Sequence, residues 1–346
     1  MAPRIAVFRA LQIGDLLVAV PALRALRHAR PDAHITLIGL PWAQDFVRRF
    51  GYCDELLVFP GLPGLPEQRA NDDALQAFYA EARARRFDLA LQMHGSGELT
   101  NAVVLRLGAR ETAGFRPTAH DVPAHFLEWD AREPETDHYL RLVRALGIET
   151  CGAHLEFPIS VAESRQAAAL LARHLPFAQE PYVCIHPGAR LPSRRWPAER
   201  FAAVADALAA LGYGIVLTGT QEEAEVTAAV RDAMRRPAID LAGRTSLGAF
   251  AALLRDARLV VCNDTSTSHI ARALRTPAVV ISCGADVRRW QPLDHPPHRV
   301  LWQNTPCRPC MHAVCPTLHE CAQGVRAEAV LDTARRLLDL RQRDAA

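Results

Sequence analysis

Two short stretches carry residue types suited to moving a group between molecules. Asp264-Thr265-Ser266-Thr267-Ser268-His269 ends the apolar run 258–263 and leads into helical Ile270, Ala271, Ala273 and Leu274. A buried strand that stops in small hydroxyl residues and enters a helix turns several free N–H groups toward one point, an anion site. Near the start of the chain, strand-like Arg4-Ile5-Ala6-Val7-Phe8-Arg9 is followed by Gly14-Asp15 and a helical pattern from Leu16 to Arg27. Asp15 on its own is also a good helix cap. Its place just beyond a first strand, where open α/β sheets bind ligands, favours chemistry. One junction suits a diphosphate and the other supplies a carboxylate, a pairing that fits group transfer from a nucleotide-activated donor.

The second half of the chain adds more at strand ends. Ile185-His186-Pro187-Gly188 closes one strand pattern, and Arg194-Arg195-Trp196-Pro197 precedes a helix. Two arginines before a helix start can clamp a diphosphate, since guanidinium–phosphate contacts are short and strong; a solvated turn reads equally well. Thr218-Gly219-Thr220-Gln221-Glu222-Glu223 follows another strand. A carboxylate there can accept from ribose hydroxyls, or simply complement a helix dipole. Cys307, Cys310, Cys315 and Cys321 form a dense thiol loop kept open by Pro309 and Pro316. Four thiolates at such spacing can encircle zinc or iron, with His312 and His319 as substitutes, or stay free.

The elements that must position these residues alternate. Strand patterns at 4–9, 34–40, 55–59, 87–93 and 111–115 are separated by helical ones at 16–29, 41–50 and 73–85. The second half repeats the scheme, with strands at 182–187, 213–218, 238–242, 258–263, 277–282 and 298–302. Strands separated by helices predict parallel sheets covered on both faces, here twice. Helix 162–174 reads as a connector, giving domains at 1–160 and 175–324. Pro21, lacking an N–H, is expected to distort the first helix. The amphipathic stretch 325–343 is expected to pack on a domain surface.

A chain of 346 residues with 49% hydrophobic and 23% charged positions suits two globular domains. A net charge of +2 leaves no nucleic-acid footprint. Lysine is absent, so all forty basic positions are arginine. Any phosphate contact must therefore use the planar guanidinium fork. No dinucleotide Gly-x-Gly-x-x-Gly or P-loop is present, which argues against a nicotinamide dehydrogenase and a P-loop NTPase. The N-terminus lacks a signal-peptide pattern, so the expected compartment is the cytoplasm. The nine cysteines are then mostly free thiols. Arg24, Arg27, Arg30, Arg48 and Arg49 form a solvated face that leaves peripheral membrane contact open.

Taken in order, these motifs resemble glycosyltransferase family 9, the ADP-heptose:lipopolysaccharide heptosyltransferases. The likeness spans nearly the whole chain: the opening strand–Gly14-Asp15–helix to Pro21-Ala22-Leu23, then His186-Pro187-Gly188 to Arg194-Arg195-Trp196-Pro197, then Asp264-Thr265 to Ser268-His269, and the closing thiol loop. The resemblance implies a GT-B fold, two Rossmann-like doubly wound domains facing across a cleft, with the terminal helix crossing back to the first. It implies inverting transfer of a heptose from ADP-heptose to a lipopolysaccharide core, in the cytoplasm or peripherally on the inner membrane.

Asp15 would then be the general base. Arg194 would contact the diphosphate and Glu223, or Glu222, the ribose. Gly188, Asp264, Thr265, Ser266, Ser268 and His269 would complete the donor site. His94, Arg116 and His120 are expected on the acceptor side. No cofactor is expected for transfer; at Cys307, Cys310, Cys315 and Cys321 a structural zinc or iron stands open beside free thiols. The family usually has lysine where Arg194 stands and glycine where Ser266 stands. Competing readings are a GT-B transferase with another nucleotide sugar or a protein acceptor, and a non-catalytic nucleotide- or metal-binding relative.

Overall fold

The computed structural model describes residues 2–69, 71–117, 125–173, 181–290 and 297–344. The chain divides into two compact units, Met1–Leu155 and Glu156–Ala346. The first runs β1 (Arg4–Phe8), α1 (Ile13–Ala29), β2 (His34–Gly39), α2 (Ala43–Phe50), β3 (Glu55–Val58), α3 (Asp72–Ala84), β4 (Leu89–Gln92), α4 (Asn101–Leu105), β5 (Glu111–Arg116), β6 (Phe126–Glu128) and α5 (Glu135–Ala145). The second runs α6 (Val161–Ala172), β7 (Tyr182–His186), α7 (Ala198–Ala210), β8 (Gly214–Leu217), α8 (Ala224–Ala233), β9 (Ile239–Asp240), α9 (Leu247–Asp256), β10 (Leu259–Asn263), α10 (Ser266–Ala273), β11 (Ala278–Ser282), α11 (Val287–Trp290), β12 (His298–Trp302), α12 (Glu320–Gln323) and α13 (Ala327–Asp344).

Each unit holds one six-stranded parallel sheet. The orders are β3-β2-β1-β4-β5-β6 and β12-β11-β10-β7-β8-β9. Counted from its own first strand, the second sheet has the same order as the first, the doubly wound 3-2-1-4-5-6 arrangement. The strands most enclosed by neighbours are near-continuous apolar runs; β7, β10 and β11 are buried at every residue. Helices cover both faces, as a parallel sheet requires. In each unit the order reverses between the first and fourth strands, the place where open α/β sheets bind ligands beyond the carboxyl ends.

The terminal helix commits its apolar stripe to the second unit. Val330, Ala334, Leu337 and Leu338 of α13 join the core of the second unit beside Val183, Val204, Leu208, Val261 and Val279. Fully burying a Leu or Val contributes about 1.5–3 kcal/mol, so the stripe is committed where that core lies. The expected connector, α6, packs instead on α9. The first helix, α1, runs to Ala29 with Pro21 inside it, as its pattern at 16–29 placed it. Most of its residues from Leu16 to Leu26 are buried, and α5 packs along it. That burial outweighs the one hydrogen bond proline removes. The pattern reading also left out β6, only three residues long, and α5.

Candidate active site

In the first unit the reversal lies between β1 and β4. Asp15 sits in the first turn of α1, just past β1, and is half-buried. Its carboxylate accepts from the Gln12 N–H at 3.2 Å, one half of a capping box. A negative charge there is favoured by the helix N-terminus. Its backbone carbonyl is held as well: Arg9 Nε donates to it at 2.7 Å. Arg9 is 1% exposed. Its guanidinium also donates to the Met93 carbonyl and the Tyr139 hydroxyl, and pairs with Glu135 at 3.7 Å. Tyr139 in turn donates to Glu135. A buried ion pair needs further hydrogen bonds to hold it; here Arg9 Nε and Nη1 make them, while Nη2 faces Glu135 without one among the described residues. The result is a rigid frame tying the start of α1 to β4 and α5.

His94 follows β4, buried, its ring stacked on Phe8 with centroids 5.3 Å apart. Burial, aided by the nearby Arg9 charge and opposed by Glu135, drives its imidazole down to about 3, so it is neutral. Gly97, in the same loop, has φ +89°, and a Cβ there would lie 2.3 Å from the Phe115 carbonyl. This glycine is demanded by packing on β5. Arg116 closes β5 in register with Glu128 of β6. His120 lies outside the described residues.

In the second unit the reversal lies between β7 and β10. His186 ends β7 and Gly188 follows it. Asn263 ends β10, and its buried amide Nδ2 donates to the carbonyls of Pro187 at 2.8 Å and Gly188 at 3.4 Å. Its Oδ1 accepts from the Trp196 N–H at 3.0 Å. One side chain therefore joins both second-half motifs to the end of β10. Glu223 lies beside Gly188: a Cβ on that glycine would fall 2.3 Å from the Glu223 carboxyl carbon. The same carboxylate accepts from Thr220 N–H at 2.9 Å and faces His186 Nε2 at 3.8 Å. Burial depresses the His186 pKa and the Glu223 charge opposes that. Glu222 beside it is exposed, whereas Glu223 is half-buried against Gly188.

Thr265 caps α10, its side chain accepting from the Thr267 N–H at 3.4 Å. Asp264, Thr265 and Ser266 are half-buried, whereas Ser268 and His269 are buried. Ser268 Oγ donates to the Thr265 carbonyl at 2.7 Å. His269 packs edge-on to Trp290, centroids 6.4 Å apart. The α10 start thus leaves Asp264 to Ser266 half-buried, while Ser268 holds the turn and His269 packs on Trp290. Arg194 donates to the carbonyls of Cys283, at 3.2 Å, and Cys310. It stands at the end of β11, anchored by the thiol loop.

The cysteines do not assemble a metal centre. Among the described residues no three His, Cys, Asp or Glu side chains gather as ligands. Cys307 is exposed, Cys310 buried near Gly284, Cys315 half-buried, and Cys321 inside the apolar core of the second unit. Thiols in such different surroundings do not meet one tetrahedral ion at ~2.3 Å. The expected zinc or iron has no ligand set here, and the loop is held by hydrogen bonds instead. The arginine face is likewise mostly occupied: Arg24 donates to Gly152 and His154 carbonyls, Arg27 pairs with Asp54, and Arg49 with Asp45. Among the described residues no helix is long and apolar enough to cross a membrane.

Sequence reading missed Arg9 and Asn263 as site residues, which share a signal, a polar residue at the end of an apolar strand.

The comparison with known proteins agrees with this architecture. The profile of glycosyltransferase family 9 (heptosyltransferase) matches residues 76–320. Lipopolysaccharide heptosyltransferase 2 of Escherichia coli (strain K12) is 25% identical over 301 residues, 82% of this chain and 83% of that protein. The glycosyl transferase family 9 structure from Veillonella parvula DSM 2008 superposes with a TM-score of 0.79 at 23% identity, covering 97% of each chain. The E. coli ADP-heptose lps heptosyltransferase II superposes at 0.76 with 20% identity, covering 98% of this chain and 99% of that one. The chain belongs to glycosyltransferase family 9, with the two-domain GT-B type of α/β fold, and is a glycosyltransferase.

Proposed function

We propose that this glycosyltransferase moves a heptose from ADP-heptose to a lipopolysaccharide core acceptor with inversion, Asp15 acting as general base. The observation that carries the reading is the repeated switch point. One sheet sets a braced carboxylate beyond its first strand. The other sets Gly188 beyond its first strand, Glu223 beyond its second, and Asp264 with a helix start beyond its fourth. An acceptor hydroxyl is a poor nucleophile. Asp15 takes its proton as the bond to the anomeric carbon forms and the bond to ADP breaks. The departing diphosphate gains charge, which Arg194 and the first N–H groups of α10 stabilise more strongly in the transition state than before it. Glu223 accepts from the ribose hydroxyls, and Gly188 gives them close access. His94 and Arg116 border the acceptor, and peripheral contact with the inner membrane belongs to the same reading.

The test is a donor screen read by mass spectrometry. Purified protein with heptose-deficient core acceptor should add one heptose from ADP-heptose. A product formed only from a UDP-sugar would overturn the donor assignment.

A further inference from the structure

The cysteine loop lies against the turn that follows β11. Four consecutive carbonyls there are each taken by a donor. Ser282 accepts from Arg308 Nη2 at 2.7 Å, Cys283 from Arg194 at 3.2 Å, Gly284 from the Cys310 N–H at 2.7 Å, and Ala285 from Arg308 Nη1. The loop is pinned on its other side too. The Ser193 N–H donates to the Ala313 carbonyl at 3.0 Å, Ser193 Oγ donates to His312 at 2.5 Å, and His319 Nε2 meets the Ser193 carbonyl at 2.9 Å.

Arg308 is half-buried between exposed neighbours, and its Nε is buried without a partner among the described residues. Burial weakens its hold on its proton; the Cys321 and Cys283 thiols oppose that, the nearby Arg194 charge adds to it, and Asp264 opposes it least. A guanidinium is costly in such a place unless it serves something. What it serves is a relay. Arg308 Nη1 donates to Ser282 Oγ at 3.3 Å, and Ser282 Oγ donates to Asp264 Oδ2 at 3.2 Å. Ser282 is fully buried, so its hydroxyl has few other choices.

We propose that Arg308 is a positioning residue of the donor site: through Ser282 it fixes the Asp264 carboxylate before α10, so the cysteine loop governs nucleoside-diphosphate binding without touching it. This rests on the reading that α10 and Asp264 receive the donor. The loop then has a job that needs no metal, and Arg194 and Arg308 share one turn as their common footing.

The experiment measures ADP binding by titration calorimetry and donor and acceptor KM for the wild type, Ser282→Ala, Arg308→Gln and the double variant. Each single change should weaken ADP about tenfold, the loss of one charge-assisted hydrogen bond. The double variant should lose little more than the worse single one, because both act through one chain. Donor KM should rise while acceptor KM holds. A merely structural role would shift melting temperature and both KM values together. Wild-type ADP affinity in Ser282→Ala, or losses that add in full, would overturn the proposal. If Arg308→Gln fails to fold, Ser282→Ala alone decides, since it keeps the loop anchors. A wild type that ignores ADP sinks the donor reading itself, a separate result.

Discussion

The two switch points share one topology and are built in opposite ways. In the first unit the space beyond β1 and β4 is filled by a side chain, Arg9, whose guanidinium is enclosed by Tyr139, Glu135 and the Met93 carbonyl. In the second, the space beyond β7 and β10 is bordered by a glycine, a short polar turn and a helix start. The same strand order can therefore serve as a frame or as a receptacle. A frame suits a group that must be held still, such as a base. A receptacle suits a ligand that arrives with its own charge.

The sharpest way to break this contrast is Asp15→Asn. Turnover should fall about 10²–10⁴-fold with ADP affinity unchanged; an unchanged rate in single-turnover assays would remove Asp15 as base. Next is the frame itself. Glu135→Gln leaves Arg9 charged and buried with its counter-ion gone, which should destabilise the first unit by about 3–5 kcal/mol. Urea unfolding followed by Trp129 fluorescence reads it, and a shift under 1 kcal/mol by that probe would mean the pair is dispensable.

On the receptacle side, Gly188→Ala places a methyl against Glu223. Overpacking of this kind costs about 1–3 kcal/mol, and here it should show as weaker ADP binding with acceptor KM preserved. Equal losses on donor and acceptor would blur the division.

The smallest effect is in pH. His94 is neutral when folded, its pKa pushed down to about 3 by burial from an ordinary value of 6.5. The unfolded chain binds that proton first, so stability is complete above 6.5 and declines as pH falls toward 3. The slope approaches about 1.4 kcal/mol per pH unit for one proton. His94→Gln should flatten the decline between pH 6.5 and 5, a window above the carboxylate titrations.

Much of this was readable in one dimension. Both parallel sheets announced themselves through buried apolar strands such as 182–187 and 258–263, and Gly14-Asp15, Gly188, Glu223 and Asp264 stood at strand ends where topology puts ligands. What escaped was contact between distant segments. Nothing near Arg308 says that it will reach Ser282, twenty-six positions away. Nothing local to 327–344 says which sheet will take its apolar stripe, because amphipathicity names a face and not a partner. The thiols misled for the same reason: spacing of 307, 310, 315 and 321 fixes how near they are along the chain, whereas burial of Cys321 in the core is settled by packing.

The docking of α13 on its own sheet has a practical side. A domain that finishes with its own last helix is one uninterrupted run of chain, from residue 156 onward. Exchanging it for the matching portion of a relative takes a single splice rather than two. On the function proposed above, chimeras cut at that point should carry nucleotide preference with the second unit and acceptor preference with the first.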